Sequence, residues 1–426
     1  MSECIVFSGG RIIDPVNGID HVGELAIADG CIVADSPADA RRIDLTGKWL
    51  IPGLIDMHVH LREPGEEYKE TIATGTRAAA AGGFTAVACM PNTRPVNDEA
   101  AVTRLILENA AAEGSARVYP VGAISRGSRG EELAEYGEMK AAGIRAVSDD
   151  GLPVVDSQLM RRALEYAAGH GLLVISHSEE HALSRGGSMN EGALSTRMGL
   201  RGIPTAAESI MIYRELALAE LTGQRIHIAH VSAASAIDLI RQAKARGVRV
   251  TAETAPHYFT LTEAAVDGYN THAKMSPPLR SEADRKAVCQ ALVDGTFDAI
   301  ATDHAPHSVL EKEVEFDQAA NGIIGLESAL PLALALVRKG LITPTRLVEL
   351  MSAAPARILG VEGGSLTPGG PADLAIIDPD LEFLFSAEDL YSKSKNSPFL
   401  DWSMQGRAIL TICNGRITHD ILGLFG

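Results

Sequence analysis

The segment LIPGLIDMHVHLR, residues 50–62, combines the features that decide how this chain folds. Its first eight residues form a short apolar run of the kind found in buried parallel strands. The run ends in the polar sequence His58-Val59-His60, and an alanine-rich helical pattern follows over residues 70–81. An apolar strand followed by a helix is the repeating unit of α/β proteins.

The same unit occurs eight times along the middle of the chain. Each apolar run is followed by a longer stretch with apolar residues at helical spacing; the runs are residues 50–57, 84–90, 118–123, 144–148, 172–176, 225–229, 248–253 and 299–302. Eight strand–helix units in roughly 250 or more residues predict a (β/α)8 TIM barrel. A doubly wound sheet is the alternative, but it usually carries a glycine-rich motif after its first strand, and no such motif opens a helix here.

Both ends of the chain contain short strand-like runs that are broken by glycine, proline and aspartate. Near the C-terminus, Asn414-Gly415 is a typical hairpin turn. We therefore expect the two ends to meet in one small β-sandwich domain beside the barrel. The expected boundaries are residues 1–50 and 361–426 for the two parts of the small domain, and residues 51–360 for the barrel.

Composition and charge narrow the range of functions. The 426 residues include 38 Lys and Arg against 55 Asp and Glu, which gives a net charge of −17. This balance argues against nucleic-acid or anionic-membrane binding, because both need a basic face. It is compatible with a small anionic substrate, since a local metal ion or arginine can dominate the field. The five cysteines are scattered, and we find neither a signal-peptide pattern nor an apolar run of ~18 residues, so we expect a cytoplasmic protein.

Histidine or aspartate residues follow five of the eight apolar runs. His58 and His60 are two positions apart on an extended segment, so both side chains leave the same face. Active sites of barrels lie at the C-terminal ends of the strands, and a shared rim is therefore expected. A single histidine at a strand end is more often structural than a ligand, so the interpretation depends on the whole set: His58, His60, Asp150, His177, His230 and Asp303.

This set has the chemistry of a metal centre. Imidazole and carboxylate groups are good zinc ligands, and coordination positions that the protein leaves open can hold water. With Asp150 as a bridge, the set suffices for two metal ions roughly 3.5–4 Å apart, an arrangement that activates water for hydrolysis.

Six motifs occur along the chain in order: HxHxR at 58–62, PNT at 91–93, SDDG at 148–151, SHSE at 176–179, AHVS at 229–232 and TDHAPH at 302–307. Together they resemble the class I dihydroorotases, cyclic amidohydrolases of pyrimidine biosynthesis within the amidohydrolase superfamily. The likeness spans nearly the whole chain and includes PGLIDMHVHLREPG at 52–65 and GGPADLAIID at 369–378. It implies a zinc-dependent, reversible cyclisation of N-carbamoyl-L-aspartate to L-dihydroorotate, with two zinc ions per subunit.

The resemblance also implies a role for each ligand. It assigns His58, His60 and Asp303 to the first zinc ion, and His177 and His230 to the second. Asp303 would also carry the proton in catalysis. Asp150 would bridge the two ions, at a place where other branches and the hydantoinases have a carboxylated lysine. The end of the fourth strand has no lysine, and Lys140 precedes that strand; Asp149 is the alternative ligand or else a solvated carboxylate.

For the substrate, the resemblance implies that Arg62, Asn92 and His307 hold a carboxylate. Ser276 stands where the family usually has asparagine, and a hydroxyl cannot present both ends of an amide. Asn321-Gly322 stands where the family commonly has Phe-Gly, a change that a backbone contact could survive. His257 and His304 are expected to have supporting or structural roles.

Two other functions remain open. A hydantoinase or allantoinase is the first, although the LREPG and CMPNTRPVND segments favour dihydroorotase. The second is a catalytically silent dihydroorotase-like subunit that scaffolds aspartate transcarbamoylase; such proteins typically lack metal ligands. The resemblance also leaves open a homodimer and an aspartate transcarbamoylase partner for an active enzyme. Residues 308–317 could form a mobile lid or an ordinary barrel loop.

Overall fold

The computed structural model describes residues 4–35, 37 and 40–424. The strands are β1 (Ile5–Asp14), β2 (Ile19–Ala28), β3 (Cys31–Val33), β4 (Arg41–Asp44), β5 (Trp49–Pro52), β6 (Leu54–Val59), β7 (Phe84–Cys89), β8 (Arg117–Ala123), β9 (Ala146–Ser148), β10 (Leu173–Ser176), β11 (Met189–Asn190), β12 (Gly202–Ile203), β13 (Ile226–Ile228), β14 (Val250–Thr254), β15 (Ala299–Ile300), β16 (Leu374–Leu384), β17 (Ser403–Cys413) and β18 (Arg416–Asp420).

The α-helices are α1 (Ile72–Ala81), α2 (Ala100–Glu113), α3 (Tyr136–Ala142), α4 (Ser157–Gly169), α5 (His181–Ser184), α6 (Ala193–Met198), α7 (Ala206–Thr222), α8 (Ala234–Ala245), α9 (Pro256–Thr260), α10 (Glu282–Val293), α11 (Val309–Lys312), α12 (Leu326–Arg338), α13 (Pro344–Val348) and α14 (Ala354–Leu359). Short 3-10 turns cover Arg126–Ser128, Glu263–Val266, Thr271–Ala273 and Ala387–Asp389, and a π-helical turn covers Glu349–Ala353. Among the residues so described, no helix has the length and apolar character needed to span a membrane.

Eight parallel strands form the barrel in the order β6-β7-β8-β9-β10-β13-β14-β15. The chain just beyond β15 returns to the first strand, since His304 pairs with Val59 and its carbonyl accepts a hydrogen bond from His60 N at 2.8 Å. These contacts bring the first and last strands together. The predicted (β/α)8 barrel is confirmed.

Successive side chains along each barrel strand point alternately into the barrel and towards the surrounding helices. On β10, Leu173 and Ile175 join an inner apolar cluster, whereas Val174 joins the cluster between strands and helices. Many inner residues are small, among them Ala86 and Ala146. This alternation is the usual way in which a small barrel fills its interior with side chains.

The helix α4 illustrates how the outer layer forms. Asp156 caps its N-terminus by accepting hydrogen bonds from the backbone N–H groups of residues 158 and 159. Its buried residues are Met160, Ala163, Leu164 and Ala167, at the spacing of one helical face. An N-cap aspartate and a single apolar face direct the helix onto the barrel.

The two ends of the chain share a second sheet, as predicted. Its strand order is β18-β17-β16-β5-β1-β2-β3, and β4 pairs with β1. The N-terminal and C-terminal parts meet where β5 and β16 pair antiparallel, with Ile51 opposite Ala375.

One predicted strand divides between the two sheets. Residues 50–57 were expected to form one barrel strand, but Trp49–Pro52 belongs to the terminal sheet and Leu54–Val59 to the barrel. Gly53 N donates to Asp373 O, and Leu54 N donates to Gly83 O in the barrel. Any side chain at Gly53 would collide with Thr85. The backbone therefore changes sheets at Gly53, where there is no room for a side chain.

The segment between β16 and β17, residues 385–402, is named the C-terminal connection below. It returns to the barrel and lies against loops beside the strand ends. Ser394 Oγ donates to Lys69 O at 2.7 Å, and Asn396 Oδ1 accepts a hydrogen bond from His307 N at 3.0 Å.

Candidate metal centre and substrate pocket

The six predicted ligand residues converge at the C-terminal end of the barrel. His58 lies in β6, and the other five follow β6, β9, β10, β13 and β15 within three residues of the strand end. All six are buried, with at most 8% of any residue exposed: His58, His60, Asp150, His177, His230 and Asp303. Residues far apart in sequence thus meet because parallel strands end on one rim.

Asp150 lies at the middle of the group. Its Oδ1 is 3.3 Å from His58 Nε2, 3.5 Å from His177 Nδ1 and 3.4 Å from His230 Nε2. Its Oδ2 is 3.4 Å from His60 Nε2. One carboxylate therefore faces four imidazoles, two from the end of β6 and one each from the ends of β10 and β13.

Asp303 approaches from the last strand. Its Oδ1 is 3.1 Å from His60 Nε2 and 3.5 Å from His58 Nε2. The backbone is left-handed at Asp303 (φ 50°) and at His230 (φ 35°). Such conformations are unfavourable for residues other than glycine and cluster at functional sites. Here they turn both side chains towards the common centre.

The donor set fits metal binding. Two groups of three residues could each hold a metal ion, because their donor atoms lie within 4.8 Å of one another: His58, His60 and Asp150, and Asp150, His177 and His230. His58 Nε2 and Asp150 Oδ1 are buried without a hydrogen-bond partner. Buried polar atoms normally have a partner, so these two atoms point to a ligand between them. Nitrogen and oxygen donors of this kind suit divalent transition metals.

Both carboxylates are ionised in this setting. Burial alone would raise the pKa of Asp150, but the His58 charge and the neighbouring imidazoles of His177 and His230 hold that pKa well below its ordinary value. Burial likewise opposes ionisation of Asp303, and the hydrogen bond with His60 and the neighbouring imidazoles lower its pKa. Metal ligation needs deprotonated carboxylates, so the site is prepared for it.

Sequence reasoning missed a supporting chain behind His58. Glu253 Oε1 is 3.1 Å from His58 Nδ1, and its Oε2 is 3.1 Å from His227 Nε2. His227 Nδ1 in turn lies 2.8 Å from Thr251 Oγ1. Burial opposes ionisation of Glu253, yet hydrogen bonds from the two histidines lower its pKa to about 2. A carboxylate that accepts from Nδ1 leaves His58 Nε2 free to bind a metal.

Two features of the sequence could have indicated this support: Glu253 stands at the end of one apolar run, and His227 stands inside another. His227 is fully buried and hydrogen-bonded to Glu253, so it has a structural role behind the candidate metal centre. Asp56 was also missed; it is fully buried, and its Oδ1 accepts from His58 N and Thr302 N at 3.1 Å each. Burial raises the pKa of Asp56 to about 7.

Asp149, the alternative ligand, has a structural role. Its Oδ1 accepts hydrogen bonds from Ile124 N at 2.7 Å and Ser125 N at 3.1 Å, and its Oδ2 accepts from Ser125 Oγ. It is 3% exposed, so a solvated carboxylate is wrong as well. The adjacent residues Asp149 and Asp150 therefore point in opposite directions, as successive residues do in extended backbone.

A cavity of about 440 Å³ opens beside the ligands. The six predicted substrate residues all line it: Arg62, Asn92, Ser276, His307, Asn321 and Gly322. Five of the predicted ligand residues also reach its surface: His60, Asp150, His177, His230 and Asp303. The cavity thus has the candidate metal centre and the candidate substrate residues in its walls.

Arg62 is buried, and its backbone is left-handed (φ 62°). Its Nε donates to Pro306 O at 3.1 Å, and one terminal nitrogen lies 3.4 Å from His307 Nε2. Asn92 Oδ1 accepts from His60 Nδ1 at 2.8 Å. Asn92 therefore orients His60 and keeps its amide N–H groups available to the cavity.

Two further histidines have the supporting or structural roles expected of them. His304 Nδ1 accepts from Gly325 N at 3.1 Å, and its Nε2 faces Glu70 Oε2 at 3.4 Å. His257 is buried with its ring against Tyr258, and burial lowers its pKa to about 4. His181 also lines the cavity.

The chain was compared with known families and proteins. A family model described as dihydro-orotase-like matches residues 47–236. The dihydroorotase of Desulfotalea psychrophila is 62% identical over 419 residues, covering 97% of this chain and 99% of that protein. The dihydroorotase of Anaeromyxobacter dehalogenans strain 2CP-1 is 55% identical over 427 residues, covering 99% of each.

Solved structures give the same picture at lower identity. The L-hydantoinase (dihydropyrimidinase) of Arthrobacter aurescens superposes with a TM-score of 0.88 at 26% identity, covering 99% of this chain and 96% of that one. A D-hydantoinase superposes with a TM-score of 0.85 at 25% identity, covering 98% and 95%. The barrel and the terminal sheet are thus shared with hydantoinases, whereas high identity along the whole length is found with dihydroorotases. The chain belongs to the dihydroorotase family.

Proposed function

We propose that this protein is a class I dihydroorotase that interconverts N-carbamoyl-L-aspartate and L-dihydroorotate in pyrimidine biosynthesis. The observation that carries the proposal is one cavity lined by both a buried His/Asp centre and a buried arginine. The first group suits hydrolysis of an amide, and the second suits a substrate with a carboxylate. The identity with proteins named dihydroorotase supports the same conclusion.

Two zinc ions are the proposed cofactors. His58, His60 and Asp303 would hold one ion, His177 and His230 the other, and Asp150 would bridge them. The two overlapping ligand groups, which share Asp150, support this arrangement. An aspartate in this place, with Lys140 in α3, supports the class I branch that has no carboxylated lysine. When bound, such ions polarise a carbonyl and lower the pKa of water.

Asp303 is the proposed proton carrier. Its carboxylate is ionised and lies against His60, at the surface of the cavity. In ring opening it would accept the proton of the attacking water and deliver that proton to the leaving ring nitrogen. In ring closure it would accept a proton from the carbamoyl nitrogen. A single carboxylate thus serves as base and acid in turn.

Arg62, Asn92 and His307 would hold the substrate's carboxylate. The planar guanidinium of Arg62 can donate two parallel hydrogen bonds to a carboxylate. Its buried charge explains how a chain of net charge −17 can attract an anion. Ser276, Asn321 and Gly322 would complete the pocket around the ring.

The test couples metal analysis to assays of three substrates. We expect purified protein to contain about two zinc ions per chain and to hydrolyse dihydroorotate faster than hydantoins or allantoin. Faster hydantoin turnover would favour the hydantoinase alternative, for which the structural similarity to hydantoinases is the supporting observation. Protein with neither metal nor turnover would favour the silent scaffold.

Location and assembly remain predictions. A cytoplasmic homodimer, with or without an aspartate transcarbamoylase partner, is consistent with a biosynthetic enzyme for a small-molecule substrate. Light scattering of the purified protein, alone and mixed with that transcarbamoylase, would test the assembly. A monomeric mass in both samples would contradict it.

A further inference from the structure

A buried lysine lies behind the cavity wall. Lys312, at the end of α11, is 1% exposed. Its Nζ donates to Ala320 O at 2.8 Å and to Gly322 O at 3.0 Å, and it lies 3.4 Å from Lys274 O. Its hydrogen bonds thus go to backbone carbonyls on either side of Asn321.

Two other buried side chains act on the same loop. Lys274 Nζ donates to Ala319 O at 2.7 Å and to Asp317 O at 3.0 Å. Asn396, from the C-terminal connection, donates through Nδ2 to Gly322 O at 3.1 Å and to Ala305 O at 2.9 Å. We call Lys274, Lys312 and Asn396 the carbonyl clamp.

The carbonyl clamp sets the direction of the Asn321 carbonyl. Because the carbonyls of residues 320 and 322 point to Lys312, that of Asn321 points the other way and accepts a hydrogen bond from His307 Nε2 at 2.7 Å. Asn396 Oδ1 also accepts from the His307 backbone N–H at 3.0 Å. His307 is therefore held at both its ring and its backbone. We call His307, Asn321 and Gly322 the carboxylate wall.

The path of this loop requires glycine at residue 322. Gly322 has a φ of 121°, and a Cβ atom there would lie 2.5 Å from Ala305 Cβ. Close approach to Ala305 is possible only for glycine. The Gly322 carbonyl then accepts from Lys312 and Asn396 together.

Burying two lysine side chains to support a loop is unfavourable in free energy. Lys274 and Lys312 bind backbone carbonyls rather than carboxylates, and their charges repel. Removing charges from water costs free energy, and apolar residues of similar volume often stabilise a fold better. A role in shaping the cavity accounts for their presence where packing alone does not.

We propose that Lys312, together with Lys274 and Asn396, is a positioning residue that holds the carboxylate wall in the geometry that receives the carboxylate of the substrate. This inference rests on the proposed function. The clamp residues act through His307, Asn321 and Gly322.

The test compares Lys312→Met with wild-type holoenzyme. Methionine keeps much of the length of the side chain and removes its hydrogen bonds. We expect the KM for dihydroorotate to rise about 10-fold, in keeping with lost hydrogen bonds to a charged group, while kcat and zinc content stay near wild type. The dissociation constant of orotate, which keeps the ring carboxylate but is unreactive here, should rise by the same factor in calorimetry.

Lys395→Met is the matched control. Lys395 Nζ also donates to two backbone carbonyls, those of Leu390 at 2.7 Å and Ser392 at 2.6 Å, but it does not contact the carboxylate wall. It should leave KM and orotate binding unchanged. Equal effects of the two substitutions would show general loosening and overturn the inference.

If folded Lys312→Met has the KM of the wild type, the inference is overturned. It is also overturned if kcat and zinc content fall together with the rise in KM. If this variant does not fold, Asn396→Ser gives the second test, with the same rise in KM expected and an unchanged KM contradicting the proposal. Failure of the wild-type protein to turn over dihydroorotate would instead overturn the proposed function. The two failures are therefore distinguishable.

Discussion

The candidate metal centre and the carboxylate wall face one cavity, yet they are built differently. Five of the six predicted ligand residues follow barrel strands within three residues and the sixth lies within one, so the barrel itself sets their positions. His307, Asn321 and Gly322 instead belong to long loops that are held by Lys274, Lys312 and Asn396. The comparison suggests that the reacting centre depends on the barrel, whereas recognition of the carboxylate depends on loop support.

The largest effect is expected at the metal centre. His58→Ala removes an imidazole shared by both carboxylates. We expect zinc content and dihydroorotate turnover to be lost together, measured by metal analysis and by the hydrolysis assay on the same sample. Full metal content with no activity would show that His58 is not a ligand.

Asp303→Asn tests the proton carrier. The amide cannot take up a proton at neutral pH, so kcat should fall by about 10²–10⁴-fold, the usual contribution of acid–base catalysis. Circular dichroism should show a retained fold. Near-normal turnover would exclude Asp303 from this role.

Glu253→Gln tests the support of His58. Loss of the carboxylate behind a ligand histidine typically lowers metal affinity by about 10–100-fold. Competition with a chelator measures this affinity without a turnover assay. Thr251 lies two hydrogen bonds further from His58 than Glu253 does, so Thr251→Val should lower metal affinity less. A larger loss of affinity in Thr251→Val would contradict this series of hydrogen bonds.

Arg62→Met tests the recognition side of the comparison. We expect KM for dihydroorotate to rise by about 10–100-fold because a charge-assisted pair is lost. Zinc content should not change, in contrast to His58→Ala. A lowered kcat at unchanged KM would mean that Arg62 acts on the reaction rather than on binding.

The smallest effect concerns stability and pH. Burial, together with the charge of Lys274 and against that of Glu311, lowers the pKa of Lys312 from 10.5 to about 7. Between these values the unfolded chain holds a proton that the folded chain has released, so wild-type stability rises with pH across this window. Below it the folded chain carries the buried charge.

Lys312→Met lacks this penalty. The melting temperature of the variant minus that of the wild type should therefore be largest near pH 6. This difference should shrink towards pH 9. Scanning calorimetry at both pH values measures the trend. A difference that is independent of pH would show that the lysine is not titrating in the folded protein.

What the sequence could predict follows the same division. Apolar runs that end in His or Asp indicated both the barrel and the convergence of the six predicted ligand residues, because a barrel of parallel strands places all the strand ends on one rim. The pattern could not separate β5 from β6, since a continuous apolar run hides the change of sheet at Gly53. The choice of Asp150 over Asp149 agrees with the direction of each side chain in the structure.

The missed residues share a physical reason. Glu253 contacts His58 across 195 positions, and Asn396 contacts His307 across 89. Lys312 looked like part of a charged, exposed loop, yet its ammonium is buried against carbonyls, while its neighbour Leu310 is 86% exposed. Such contacts leave no local periodicity, so only the folded structure identifies them.

The position of Asn396 has a consequence for the order in which the site matures during synthesis. A ribosome that has reached residue 304 has already made all six predicted ligand residues. Asn396, whose amide binds His307 and Gly322, follows 92 residues after His304, in the C-terminal connection. A nascent or truncated polypeptide that ends between residues 304 and 395 therefore carries all six predicted ligand residues but lacks this fastening of the pocket.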